Sequence, residues 1–383
     1  MTPGPEEARR AIRGKAAALG FDAVAFARAD VPLDAEMRRY EAFLEAGMHG
    51  EMRYLAENAE ARRRVDTGHI LEGARSVVCL ARRYPGRAAT GQGARGSDPE
   101  DDGRDTARLV ARYARGRDYH NFLRKKVRKL AAFIRGLPGP DDAPTRARPL
   151  CDDAPVLERA WAARAGLGFI GKNGLLIVPG QGSFLLLGEV VTTLSLPPDA
   201  PIEGRCGSCT ACLDACPTSA FPQPFVLDAR RCVAYLTIEH KGSIPEALRA
   251  GVGEHLFGCD DCQTVCPFNA SQRPVEPSRM TPFQASGPLS ATSLLSLLSG
   301  VGPAAEAVSS GPLKRAGADG IARNAAIVLG NRRDSRALPE LRRAAEVHPS
   351  EVVREASNWA VEQMAEPTRR ESKVTRLPPL APK

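Results

Sequence analysis

Between positions 206 and 266 the chain places eight of its ten cysteines: Cys206, Cys209, Cys212, Cys216, Cys232, Cys259, Cys262 and Cys266. The first four read C-x2-C-x2-C-x3-C followed by Pro217. This is the bacterial ferredoxin run, in which three thiolates hold one 4Fe–4S cluster and the fourth ligates another. The second run, CDDCQTVCPFN, keeps only C-x2-C-x3-C before its proline, and Cys232 can supply the ligand it lacks. The crossed pattern assigns Cys206, Cys209, Cys212 and Cys266 to one cluster and Cys216, Cys232, Cys259 and Cys262 to the second, with the two close enough for fast electron exchange. Four thiolates also suit a structural zinc, but the strict spacing and the two closing C-P pairs favour iron–sulfur clusters. Such a module moves electrons without consuming them, so the rest of the chain must say what is reduced.

Composition fits a reducing compartment. Arg9-Arg10 is followed by the charged AIRGKAAALG rather than an export signal. No apolar run reaches the roughly 18 residues a membrane helix needs. The expectation is a cytoplasmic protein, where clustered cysteines bind metal rather than form disulfides. A net charge of +8 suits a partner carrying phosphates, and 383 residues suffice for two or three domains.

Pattern and composition divide the rest. A helix is expected over 5–20, strands over 21–27 and 74–84, a Gly-rich charged loop over 86–106, a helix over 107–136 and another over 155–165. Residues 115–135 carry eight Lys or Arg against one acid, a pattern of solvated helix faces as well as of phosphate contact. With the glycine-punctuated strand segments of 168–196, residues 1–200 read as an α/β domain. Residues 201–280 form the ferredoxin-type module, 281–366 have the grammar of a HEAT-like helical repeat, and 367–383 lack any core. Asp152 and Asp153 precede Pro155 where an Asp commonly caps a helix. No P-loop, G-x-G-x-x-G or Ser-His-Asp arrangement stands in a suitable setting, and no histidines form a metal-spaced pair.

RYARGRDYHNFLRKK, CDDAPVLERAWAARAGLGFIGKNGLLI, the cysteine module with CVAYLTIEHKGSIP and GCDDCQTVCPFN, and the closing helical repeat together resemble the epoxyqueuosine reductase family. The likeness runs from about residue 5 to 365. It implies an α+β multidomain fold: a cobalamin-binding domain, a ferredoxin-like module with two 4Fe–4S clusters, and the helical repeat. It also implies a cytoplasmic oxidoreductase, fed by an external flavodoxin- or ferredoxin-type donor, that reduces epoxyqueuosine to queuosine at the wobble base of tRNA; a monomer is expected because that substrate is itself large.

By the same resemblance Asp152 lies over the cobalt as proton donor, which requires burial or a neighbouring negative charge to raise its pKa, while Asp153 keeps the capping role. Arg64, Lys172 and the CDDC loop with Asp260 and Asp261 lie by cobalamin. Arg64 stands in RRRVDT, where the family usually has ADP after the arginines. Lys241, Lys314, Arg315, Arg323 and Asn324 match tRNA-contacting positions. No D-x-H-x-x-G motif is present, so no protein histidine is expected below the cobalt. Two other functions share parts of this signature. A reductive dehalogenase-like enzyme would be expected to carry an export signal and no basic helical repeat. A plain ferredoxin-type electron carrier would need no corrin-binding half.

Overall fold

Residues 23–28 and 76–83 are short in charge and rich in Val, Ala and Leu, and they pair as the first two strands of a central sheet. The structure, a computed structural model, describes residues 4–86, 106–139, 143–270, 281–283, 289, 292–300 and 303–365. The expected tail at 367–383 and nearly all of the expected loop at 86–106 lie outside them. The strands are β1 (Ala23–Arg28), β2 (Ser76–Arg83), β3 (Ala147–Leu150), β4 (Phe169–Ile170), β5 (Leu176–Ile177) and β6 (Leu185–Thr192). The main sheet has the order β1-β2-β6-β3, and β4 pairs with β5 in a separate hairpin. Every pairing is antiparallel. This corrects the α/β expectation for residues 1–200: helices lie between successive strands of the main sheet, but each strand runs opposite to its neighbour, so no parallel β-α-β unit forms.

All eight residues of β2 are buried, because the sheet is covered on both faces. One face meets the helices Pro5–Ala18 and Tyr119–Arg135 through Ile12, Leu123, Val127, Leu130 and Ile134. The other meets the Glu158–Arg164 helix through Trp161 and Ala162. Pro149 sits on β3, the sheet edge, where a missing N–H costs no ladder bond. Arg9 and Arg13 of the first helix both pair with Asp199, Arg13 at 2.7 Å.

The helix expected over 107–136 splits. Residues Thr106–Leu109 and Arg112–Ala114 form tight 3-10 turns, and the helix proper runs Tyr119–Arg135 with Asp118 as its cap. The break has a packing cause. Ala107, Leu109, Val110 and Ala114 leave the sheet layer and join the core of the C-terminal helices, alongside Leu298, Ile327, Leu341 and Trp359. The segment is stitched there by Ala111 N–H to Phe257 O and Leu256 N–H to Leu109 O, both 2.8 Å. Helices Gly317–Arg332, Leu338–Val347 and Glu351–Ala365 stack on one another, with Arg333 in the left-handed region (φ 53°) turning the chain between the first two.

Candidate active site

The end of β3 delivers Cys151 and Asp152 into a tight turn. Asp152 has φ 54°, a left-handed conformation that costs about 1 kcal/mol or more for a residue with a Cβ. Local bonds hold it there: Asp152 N–H donates to Glu158 Oε1 at 2.8 Å and Cys151 N–H to Asp153 Oδ1 at 3.0 Å. Neither aspartate caps a helix, because the next helix begins at Glu158 with Leu157 as its cap residue. That overturns the capping expectation. The loop bonds of Asp153 and its ion pair with Arg124 at 3.5 Å occupy its carboxylate instead.

The Asp152 carboxylate, 57% exposed, meets the first turn of the Tyr119–Arg135 helix. Asp152 Oδ2 accepts a hydrogen bond from Tyr119 Oη at 2.7 Å and faces His120 Nε2 at 3.1 Å. The other imidazole nitrogen, Nδ1, lies 2.7 Å from Asp118 Oδ1, and the Tyr119 and His120 rings stack at 4.0 Å. With a carboxylate on each nitrogen, the doubly protonated imidazolium satisfies both. The hydrogen bond to Asp152 raises the His120 pKa above its usual value, against the opposing effect of burial. Burial pushes Asp152 upward, but the bonds from His120 and Tyr119 outweigh it and hold the carboxyl below the ordinary range. The raised pKa expected of Asp152 is therefore not what this arrangement provides, and the proton resides on His120. Burial, followed by the Asp152 charge, pushes the Tyr119 phenol far up, so it stays a donor.

The cysteines gather as two neighbouring groups, and none of the ten is in a disulfide. Cys206, Cys209, Cys212 and Cys266 line a cavity of about 400 Å³ together with Lys172 and Phe268. Cys232 feels the charge of Cys216, and Cys259 that of Cys232 and Cys262. Cys262 also senses Cys212 of the other set, so the two groups adjoin. Backbone N–H groups point at sulfur, from Lys172 to Cys206 Sγ at 3.5 Å and from Ala220 to Cys216 Sγ at 3.2 Å. Half-buried soft donors with backbone amides aimed at two of them fit clusters whose charge needs such bonds.

Lys172, expected beside a corrin, reaches the cysteine loop, its ammonium donating to Gly207 O at 2.8 Å and Cys209 O at 2.9 Å. Arg64 forks onto Asp66, while its neighbour Arg62 is buried and donates to the Tyr54 and Glu57 carbonyls. Asp260 accepts from Arg112 N–H at 2.8 Å, and Asp261 lies 3.1 Å from His255. The Tyr113 phenol, half-buried, feels both Asp260 and Asp152, so the CDDC loop and the Asp152 turn border one region.

Around that region lies a basic rim. Lys314 is 60% and Arg315 55% exposed. Arg315 pairs with Glu239 at 2.8 Å and stands 5.7 Å over the exposed ring of Tyr54. Lys241 joins them, donating to the Arg315 carbonyl. Arg323 and Asn324 do not belong to this rim. They are 1% and 0% exposed. Arg323 donates to Leu236, His240 and Gly242 carbonyls and Asn324 to those of Thr237 and Leu256. Buried donors must find partners, and here they fasten the loop that carries Lys241. That corrects the expectation that they touch nucleic acid. Sequence reading missed Tyr54, Tyr119, His120, Glu158 and Glu189. The pair Tyr119-His120 stood in the quoted DYH block, but only the fold brings it to Asp152.

Fold and site thus define an iron–sulfur redox protein: an antiparallel-sheet domain, a two-cluster cysteine module and a helical layer around one acid–base group. A family profile described as a 4Fe-4S double cluster binding domain matches residues 205–269, and one described as Epoxyqueuosine reductase QueG, DUF1730, matches 64–152. The epoxyqueuosine reductase of Pseudomonas aeruginosa is 39% identical over 95% of this chain and 96% of its own length. That of Xanthomonas campestris is 38% identical over 94% and 97%. A crystal structure of epoxyqueuosine reductase with a tRNA-Tyr epoxyqueuosine-modified stem loop superposes with a TM-score of 0.82 at 31% identity, covering 95% of this chain and 92% of its own. The Bacillus subtilis enzyme, with its catalytic aspartate loop swung out of the active site, superposes at 0.80 with 31% identity over 94% and 91%. The chain belongs to the epoxyqueuosine reductase family and is an oxidoreductase.

Proposed function

We propose that Asp152 and His120 handle the protons in the reduction of epoxyqueuosine to queuosine in tRNA, the reaction this chain carries out. Removing the epoxide oxygen as water takes two electrons and two protons. The two cysteine sets hold the clusters that relay the electrons one at a time. The observation that carries the proton assignment is the shared Asp152 Oδ2, with Tyr119 Oη at 2.7 Å and His120 Nε2 at 3.1 Å. A proton on His120 passes to Asp152 Oδ2 and on to the oxygen of the opening epoxide, leaving the imidazole neutral; Asp118 holds it in orientation through Nδ1 and favours its reprotonation from solvent, which supplies the second proton.

Cobalamin fits the region bordered by the Asp152 turn and the CDDC loop, with Asp260 and Tyr113 at its edge and Arg64 as a further candidate contact. When bound it supplies an electron-rich metal centre that delivers reducing equivalents to carbon, which outer-sphere transfer from clusters does poorly with an epoxide. Lys241, Lys314 and Arg315 take the tRNA backbone, and Tyr54 offers a ring on which a base can stack. No helix among the described residues is long and apolar enough to cross a membrane. Cysteines without disulfides and a tRNA substrate support a cytoplasmic monomer served by an external flavodoxin- or ferredoxin-type donor.

The test is anaerobic turnover of cluster-loaded protein on epoxyqueuosine-containing tRNA, with and without cobalamin, read as nucleosides by mass spectrometry. Cobalamin-dependent queuosine is the expected result. Intact clusters and a strong reductant without product would overturn the assignment.

A further inference from the structure

Behind the Asp152 turn lie two carboxyl groups that the proton path above does not use. Glu189 stands on β6 opposite Cys79 and Leu150 and is 1% exposed. Neither of its oxygens has a donor. The group whose charge acts on it most is another acid, Glu158, on the helix that packs against β6, and Glu158 Oε1 accepts the backbone N–H of Asp152 at 2.8 Å. Cys79, Cys151, Asp152 and Asp153 face the pair, with Arg159 the cation beside Glu158.

Two neighbouring carboxylates in a site closed to water do not both ionise near neutral pH, so such a pair retains a proton there. We propose that Glu158 and Glu189 share one proton and act as a latch: Glu189 holds the proton, and the ionised Glu158 grips the Asp152 N–H and keeps its carboxylate against Tyr119 and His120. Both are positioning residues. The turn needs such a grip because Asp152 is in the left-handed region. In the Bacillus subtilis relative the catalytic aspartate loop is found swung out of the active site, which is the movement a latch would govern. Burial, then the charge of Asp152, pushes Glu158 up to about 7, and burial with Glu158 beside it pushes Glu189 well above the carboxylate range. Raising the pH to where both must ionise would set the two acids against each other and loosen the turn.

The latch rests on Asp152 being the proton-handling residue only for its purpose, and its test does not depend on turnover. In the cluster-loaded full chain, infrared difference spectra on H/D exchange should show the C=O stretch of a buried protonated carboxyl. The Glu189→Gln variant should lose that band yet keep the Asp152 amide protected, since the new amide can donate to an ionised Glu158. The Glu158→Ala variant should raise exchange at the Asp152 amide by ~10-fold or more and lower kcat with little change in KM for tRNA. Absence of the band in the wild-type protein, which needs no variant to fold, would overturn the proposal. So would an Asp152 amide equally protected in Glu158→Ala. If Asp152→Asn turned over normally while band and protection behaved as expected, the proton path would fail and the latch would stand.

Discussion

The Lys314 ammonium lies 3.3 Å from Asp118 Oδ2, and the other oxygen of that carboxylate holds His120 Nδ1 at 2.7 Å. A residue at the start of the helical layer thus touches the cap that orients the imidazole. A phosphate drawing Lys314 away would leave more of the Asp118 charge to His120 and favour its protonated form. Because Lys314 is largely exposed, Lys314→Ala should cost under about 1 kcal/mol of stability. The same variant should bind tRNA more weakly, with the slope of log K against log salt shallower by about one. Filter binding across a salt series checks this.

Asp152→Asn removes the acceptor shared by Tyr119 and His120 while keeping the shape of the turn. Turnover should fall by about 100-fold or more, with iron content, cobalamin retention and thermal midpoint close to wild type. Single-turnover assays beside cluster absorption spectra separate the two effects.

The His120 pKa is raised chiefly by its bond to Asp152. The charged, catalytically useful form is present below that raised pKa and lost as pH climbs through it, so kcat/KM should fall on the alkaline side. The stabilising effect of the ion pair runs the same way: full below the unfolded value of 6.5, lost above the folded one. His120→Gln should abolish this alkaline limb, which a pH series of single turnovers would show.

Arg323→Ala strips three carbonyls of their buried donor. The expected loss is about 3 kcal/mol or more, visible as a lower denaturation midpoint, with tRNA affinity of the folded fraction falling only as far as the loosened Lys241 loop dictates. Arg315→Ala should do the opposite, weakening tRNA binding while barely moving the midpoint.

Cys232 stands outside both compact cysteine runs. Cys232→Ser should remove about half the iron and leave the cavity lined by Cys206, Cys209, Cys212 and Cys266 to bind its own cluster. Iron analysis with electron paramagnetic resonance of the reduced protein checks it.

The cysteine module was legible because cluster ligation imposes spacing, and spacing survives in one dimension. The first helix and the strands at 23–28 and 76–83 were legible to within a few residues because burial enforces apolar patterns. Strand direction was not: β2 and β6 are far apart in sequence, and their antiparallel pairing depends on the path between them. Arg323 and Asn324 looked like surface cations and amides because residue type does not encode burial, and carbonyls 68 to 87 residues away decide it. Glu158 and Glu189 were invisible as a pair for the same reason, since a strand and a helix bring them together.

Thr106 donates its hydroxyl to the carbonyl of Thr292, 186 positions later. It opens the strap whose apolar residues sit in the core of the last helices. During synthesis that strap emerges long before anything can cover it. The ordering of the Asp118–His120 turn, only a few residues further on, must therefore wait until almost the whole chain has left the ribosome. The polypeptide cannot mature as a reductase first and acquire its tRNA-facing layer afterwards. A nascent chain halted before residue 292 would already carry all ten cysteines while its acid–base group was still unmade.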